Sequence, residues 1–465
     1  MQRSSTEAGR AAQSVAAASV AQPGRDDSGQ HPAGLLALAD YQSPGMPAEH
    51  VVRALWRRIR ERFQSSKPGP VRAGSRLQTT TLKALDEVAG PPACGPLMDD
   101  FDAAVCDWLD GPGATFHCVV VLPPCDPADV IGSWAQSRGH AVLRAPARDH
   151  SHALTVIAAA KRRPGAADSQ GRPEGQADAP LLVIPQLETW FLRRRNGLQA
   201  VRALLAELQQ SERRCLIGCN SWAWAFLVRA AGAALVLPSP RTFVAFDAKR
   251  LQAWFATLGA AEGGAGRTAF RLASSGADVL ATKEGGALAS NYLEELAARS
   301  NGIPWVAWHL WRSALRTGID ALQARKKNGH PPATGTLQRD AEGAPEAPVV
   351  APESPNTPNT PNTPETPGGQ ASERTFWIAG VPDPDLPHHH DDNALLVLHA
   401  LLMHGALDAA ELLSVLPDAT AAEVLPALLR NGFIEQRQGR LAVLPSAYPA
   451  ARRALLADGF PVGEV

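Results

Sequence analysis

The chain has little cysteine. Six residues in 465 are Cys94, Cys106, Cys118, Cys125, Cys215 and Cys219, and no two form a C-x-x-C pair. That scarcity argues against a disulfide-built scaffold and a four-thiolate metal site, and it is the usage expected of a reduced, cytoplasmic protein. The chain also lacks an excess of either charge, with a formal net charge of −1 at pH 7. Nothing global then draws it to nucleic acid or anionic lipid. Long apolar runs are missing too. The strongest, Trp222 to Leu237, is shorter than a membrane span requires and holds Arg229 in its middle. The alanine-rich run from Ala11 to Ala21 is too weakly apolar and too interrupted for a secretion signal. A soluble protein with no membrane span is expected.

What is present centres on Leu181 to Leu227. Four large aliphatics, Leu181–Ile184, lie between two prolines and read as a strand covered on both faces. A helix follows over about Asn196 to Gln210, with Leu198, Val201, Leu204, Leu205 and Leu208 at the helical period. Cys215–Gly218 reads as a second buried strand, followed by another helix start. Strand, crossover helix, strand is the unit of a parallel sheet.

Taken in order, residues 1–45 read as a disordered tail and 46–110 as an N-terminal helical segment, which includes a basic amphipathic helix over 47–64. Residues 111–287 read as an α/β domain. Its strand Phe116–Pro123 leads to a helix over Ala128–Ser137, with Asp126 as N-cap and Pro127 at the first turn. Further strands are expected at His140–Arg144 and Ala233–Leu237, and a helix at His152–Arg163. Residues 164–179 read as a polar insertion, expected to be a mobile surface loop. Residues 288–328 read as two helices joined at Ser300–Pro304, and 329–372 as a proline-rich linker with the repeat PNTPNTPNTPETP. Residues 373–465 read as a separate domain, with helices at Asn393–His404, Asp408–Leu416 and Thr420–Asn431 and a hairpin over Gly432–Pro445 turning at Gln438-Gly439. Three helices and a hairpin make the winged-helix pattern.

This succession resembles the AAA-type P-loop ATPases, in particular the origin-recognition-like and STAND-type branches. The resemblance implies an α/β fold: an AAA-like parallel sheet, a helical lid and a C-terminal winged helix. It implies a phosphate loop after the strand at 116–123, an acidic pair after Leu181–Ile184, a polar sensor after Cys215–Gly218, and a lid arginine after the turn SNGIPW. A phosphate loop needs glycines for close backbone approach, a lysine for the outer phosphates and a hydroxyl for magnesium. Here Leu122–Val130 reads LPPCDPADV, with no Gly, Lys, Ser or Thr. Its prolines remove amide donors, and Pro124, Cys125 and Asp126 stand where the loop should cradle phosphate. The acidic pair is Pro185-Gln186, with Glu188 two residues onward, and the lid position is Trp305. Only Asn220 keeps the residue type of its position.

These departures together remove phosphate binding, metal binding and charge neutralisation. The sequence therefore predicts no catalytic residue, no metal site and no cofactor. Cys215 and Cys219 read as buried thiols, and His388-His389-His390-Asp391-Asp392 as a helix cap. The tryptophans 190, 222, 224, 305, 308 and 311 read as packing, with any exposed member marking an interface. Arg193, Arg194 and Arg195, with Arg437 and Arg440 on the hairpin, are the candidate interface. The expected function is a non-hydrolysing regulatory or scaffolding protein with a protein partner. The alternatives are a winged-helix DNA-binding regulator and an ATPase with divergent motifs. DNA is disfavoured, because residues 388–465 carry five Arg, no Lys and nine acids, a net of −4.

Overall fold

The computed structural model describes residues 34–47, 77–79, 95–111, 115–146, 155–157, 181–211, 213–259, 268–318, 374–382, 386, 392–417 and 419–463. The tail before 34, most of the amphipathic helix at 47–64, the insertion at 164–179, the linker at 329–372 and the histidine cluster at 388–390 lie outside them. So does most of the expected helix His152–Arg163, which is helical over the described 155–157.

In chain order the elements are β1 (Leu35–Ala37), β2 (Leu77–Thr79), α1 (Gly95–Asp110), β3 (His117–Leu122), α2 (Val130–Ser137), β4 (Ala141–Val142) and β5 (Leu182–Ile184). Then come α3 (Gln199–Gln210), β6 (Cys215–Asn220), α4 (Ser221–Ala231), α5 (Ala233–Val236), β7 (Arg241–Phe243), α6 (Ala248–Gly259) and β8 (Thr268–Leu272). They are followed by α7 (Tyr292–Arg299), α8 (Pro304–Ala314), β9 (Leu315–Gly318) and β10 (Arg374–Ile378). The last are α9 (Asp392–His404), α10 (Ala409–Val415), α11 (Leu425–Arg430), β11 (Ile434–Arg437), β12 (Arg440–Val443) and α12 (Tyr448–Ala457).

Six strands form the first sheet in the order β1-β7-β3-β6-β5-β4. All are parallel except β1, which runs antiparallel to β7. Counting only the parallel strands in chain order, the sheet reads fifth, first, fourth, third, second. It is neither the 3-2-1-4-5-6 nor the 2-1-3-4-5 order of the two common doubly wound folds. β3 and β6 sit at the centre, register-paired from His117↔Cys215 to Leu122↔Asn220. Their apolar runs are buried on both faces, as central strands of a parallel sheet must be. Gly218 is required by a close approach, since a Cβ there would lie 2.1 Å from the Pro185 carbonyl oxygen.

Several expectations are corrected. Residues 34–45, read as part of a disordered tail, include the edge strand β1, the buried Leu38, and Tyr41, whose hydroxyl donates to the Asn301 carbonyl at 2.5 Å. Ala233–Leu237, read as a strand, is the short helix α5. Gly232 in the left-handed region ends α4 and lets the chain turn straight into it, and the fifth parallel strand comes later, at Arg241–Phe243. A second, four-stranded sheet, β2-β9-β10-β8, carries no helical or alternating signal long enough to read in sequence. Its strand Arg374–Ile378 was assigned to the C-terminal domain, but it pairs parallel with β8 and antiparallel with β9.

The two helices at the end of the body are α7 and α8, joined through Asn301 (φ 54°) and Gly302 (φ 72°). At the C-terminus, α9, α10 and α11 precede the hairpin β11–β12, whose turn places Gln438 (φ 50°) and Gly439 (φ 79°) in the left-handed region of a type I′ turn. The third predicted helix, Thr420–Asn431, is split: 419–424 is 3-10 and only Leu425–Arg430 is α. Pro426 explains the break, being tolerated in the first turn of a helix and not in its interior. A last helix, α12, follows the hairpin and was not read from the sequence.

Candidate functional site

The parallel strands β3, β5 and β6 end on one edge of the sheet, where a ligand cleft belongs in an α/β fold. A cleft of about 300 Å³ lies there. Pro124, Cys125 and Asp126 after β3, Pro185, Gln186 and Glu188 after β5, and Asn220 at the end of β6 all line it. Its opposite wall is the C-terminal hairpin, with Glu435, Arg437, Gln438 and Arg440. The structure thus gathers the sequence-nominated positions of three separate loops, and brings to them two arginines nominated for a different reason.

The loop between β3 and α2 explains what the cleft can hold. Pro123, Pro124 and Pro127 have no amide hydrogen to offer. Three of the amides at and just before the start of α2 are already occupied. Ala128 N–H donates to Asp126 Oδ1 at 2.9 Å, Val130 N–H to Asp126 Oδ2 at 2.8 Å, and Gly132 N–H to Asp129 Oδ1 at 3.2 Å. The N-cap is therefore Asp129, with φ 47°, and not Asp126 as expected; Asp126 lies one turn earlier and holds the loop closed. Asp129 is further paired with Arg144 at 2.7 Å. Gly132 must be glycine, because a Cβ there would meet the Asp129 carboxylate at 2.2 Å. A helix N-terminus is an anion site by virtue of its free amides, and here the protein's own carboxylates fill it. Burial in the cleft wall, with the nearby Asp129 charge adding to it, outweighs the backbone hydrogen bonds and raises the Asp126 carboxyl to about 6. The neighbouring Cys125 thiol is pushed up by burial, and by the Glu435 and Asp126 charges after it.

The other positions are committed in the same way. Trp305 is fully buried and its indole N–H donates to the Pro124 carbonyl at 3.2 Å. Where the resemblance implied an arginine for phosphate, an indole pins the loop instead. The Glu188 carboxylate is nearly buried and accepts from Asn220 N–H at 3.1 Å. Asn220 caps α4 through Oδ1, which accepts from Ala223 N–H at 2.8 Å, and its Nδ2 donates to the Met403 carbonyl in α9 at 3.1 Å. Both ends of that amide are engaged in holding the fold, which leaves one N–H of Nδ2 and one lone pair of Oδ1.

The same residues tie the C-terminal unit to the body. Arg193 N–H donates to His404 Nε2 at 3.3 Å, and its guanidinium lies 3.4 Å from His399 Nδ1. Burial first, and the Arg193 charge second, lower His399 to about 4, so the ring is neutral and can accept. Trp222 Nε1 donates to the Tyr448 hydroxyl at 3.4 Å. Within the C-terminal unit itself, Arg440 bonds the Ala406 carbonyl at 2.7 Å and pairs with Glu411 at 2.8 Å, while Arg437 pairs with Glu435 at 2.9 Å. Of the nominated interface arginines, Arg193 and Arg440 are thus internal fasteners, Arg437 faces the cleft, and Arg194 and Arg195 are exposed. The six nominated tryptophans are all buried, which removes them as an external interface. Cys215 and Cys219 are buried thiols, raised by desolvation, Cys215 to about 11.

Sequence reasoning places the Asp129 charge in the loop but misses its role as the cap, and it misses Arg144 and Glu435. Asp129 had a signal, since Asp three residues before Gly132 is N-cap spacing. Arg144 and Glu435 arrive from other elements and had none. Among the described residues no group of three His, Cys, Asp or Glu side chains could hold a metal ion, and no helix is long and apolar enough to cross a membrane.

No protein-family model matches the chain, and no curated protein matches it either. Among solved structures it is similar to the crystal structure of Cdc6p from Pyrobaculum aerophilum, at 11% identity over 81% of this chain and 99% of that one, with a TM-score of 0.28. A likeness of that TM-score supports no assignment of a site or an activity.

Proposed function

We propose that this chain is a non-hydrolysing, AAA-like regulatory or scaffolding protein whose C-terminal winged helix makes protein contacts. One observation carries the reading: three amides at the start of α2 are taken by Asp126 and Asp129, at the place where such a fold would hold phosphate. A nucleotide would have to displace two carboxylates and then rest beside them with no lysine or hydroxyl in the loop. The sheet supports the fold half of the proposal, because a sheet of five parallel strands is what the resemblance implies. The hairpin supports the other half. It closes against the body with Arg437 and Arg440 each paired to an acid of the same unit, which offsets the charge they could offer to DNA phosphates.

Steady-state phosphate release by the purified full chain, with ATP or GTP and magnesium, tests the reading. Turnover no greater than a heat-inactivated control is expected. Magnesium-dependent turnover abolished by Asp126→Ala or Glu188→Ala would establish a divergent ATPase instead. Tight, salt-sensitive binding of duplex DNA, lost on Arg437→Ala with Arg440→Ala, would establish the DNA-binding alternative.

A further inference from the structure

Each side of the joint between the body and the C-terminal unit holds a histidine that feels an arginine of the other side. From the C-terminal unit comes His399 in α9, 1% exposed. Its ring lies edge-on to Trp222 of the body at 5.7 Å and against Phe460 at 5.3 Å, and its Nδ1 is 3.4 Å from the Arg193 guanidinium. From the body comes His309, partly buried in α8, the helix that packs on the turn 445–447 of the C-terminal unit. Its ring meets that of Trp308 at 4.8 Å. Burial first, then the Arg437 charge of the hairpin and that of Arg312 on its own helix, lower His309 to about 4. That is the value His399 reaches through burial and Arg193. Both rings are neutral while the units are docked.

We infer that mild acid releases the C-terminal unit from the body, because protonating His399 and His309 puts like charges together across a desolvated joint. On release, solvent restores each ring toward its ordinary 6.5. Docking is therefore strongest above pH 6.5 and weakens as pH falls toward 4, about tenfold per pH unit for each histidine. The surrounding charges favour this direction. The elements packed on α9 bring Arg229, Arg430, Arg440, Arg452 and Arg453 against Glu188, Glu411 and Glu423. Against α8, α7 brings Glu294, Glu295 and Arg299, of which the last two pair with each other. Among the described residues no carboxylate is bonded to either histidine, and the Pro461 backbone, which favours the charged form of His399, is outweighed by burial and Arg193. Two carboxylates act the other way. Glu188 lines a cavity with His404 and would hold a proton there, so His404 is not part of the device. Asp126, raised to about 6 in the cleft that the hairpin walls, strengthens docking by up to about fourfold at pH 5.5. Two histidines outweigh it.

Fluorescence energy transfer in the full chain tests this, between dyes at Leu235→Cys on the body and Leu413→Cys on the C-terminal unit, both exposed positions. Cys94 and Cys106 are changed to serine so that they take no dye, and circular dichroism checks that both units stay folded. In urea that separates half of the molecules at pH 7.5, the ratio of separated to docked chains should rise at least about tenfold by pH 5.5. His399→Gln and His309→Gln, which keep a hydrogen-bond acceptor, should each cut that rise by about tenfold, and together abolish it. A chain ending at Gly463, without Glu464 and the terminal carboxylate that follow it, should respond as the wild type does. No rise by pH 5.5, a full rise in the double variant, a lost response in the shortened chain, or separation that never precedes unfolding would overturn the inference. Each of these failures leaves the nucleotide reading untouched, because phosphate release is measured separately.

Discussion

Two helices start from neighbouring strands on the same edge of the sheet, and they are closed in different ways. After β3, the amides of α2 are capped by Asp126 and Asp129 from the connecting loop itself, an arrangement that includes two non-glycine residues in the left-handed region, Cys125 (φ 65°) and Asp129. After β6, the start of α4 is capped by Asn220, whose other end reaches the Met403 carbonyl in the C-terminal unit. The first closure is local and charged, the second neutral and long-range. An anion site can therefore be lost in two ways: by filling it from within, or by spending its polar residue on holding a neighbouring unit in place.

The comparison breaks most sharply at Trp305, which braces the first start. Trp305→Ala removes a fully buried indole and frees the Pro124 carbonyl, so a loss of about 3–5 kcal/mol is expected in denaturant unfolding. A loss under about 1 kcal/mol would mean the loop holds without its brace. Asn220→Ala should cost about 2–3 kcal/mol, from the lost cap and the orphaned Met403 carbonyl. It should also speed proteolysis between the body and α9. Destabilisation without faster cleavage there would show that Asn220 serves α4 alone.

Asp126 sharpens the comparison through pH. Its carboxyl is raised to about 6 when folded, against an ordinary value of 3.8. Between these values the folded chain holds a proton that the unfolded chain releases. Stability owed to Asp126 is therefore fully present below pH 4 and lost as pH rises through 6, the reverse of a salt-bridged carboxylate. The stability difference between wild type and Asp126→Ala should grow by roughly 1–2 kcal/mol from pH 7.5 to pH 5, allowing for water at the cleft mouth. Calorimetry at the two pH values reads it, and a difference that shrinks toward pH 5 contradicts the assignment. The smallest effect is expected at the hairpin: Arg437→Ala removes a partly exposed pair with Glu435 and should change stability by about 0.5 kcal/mol or less.

Much of the fold was legible because buried strands and amphipathic helices carry their own periods. β3, β5, β6, α3 and α9 fall where the aliphatic runs and heptad-like spacing put them. The hairpin was legible from Gln438-Gly439, a dipeptide suited to two successive positive φ values. The four strands of the second sheet were not. Leu315–Gly318 continues directly from α8 without a turn signal, and Arg374–Ile378 is as short as many loops, so only pairing with distant β8 makes it a strand. β1 was hidden in the same way, being three residues beside a polar, alanine-rich stretch. The site was half legible. The positions that fail as a phosphate site could be named, because missing glycine, lysine and hydroxyl are local facts. What replaced them could not.

The sequence by itself determined that no phosphate loop can form, because proline has no amide to give and a loop without lysine has no charge to offer. It determined the strand cores and the helix faces, through alternation and 3.6-residue spacing. Only the tertiary structure decided that Trp305 is a brace and that Asn220 and Arg193 fasten α9. Those outcomes depend on which groups meet across some 180 to 210 residues of chain. A buried amide or carboxylate takes whichever partner the packing brings within 3 Å, and no local pattern records that choice.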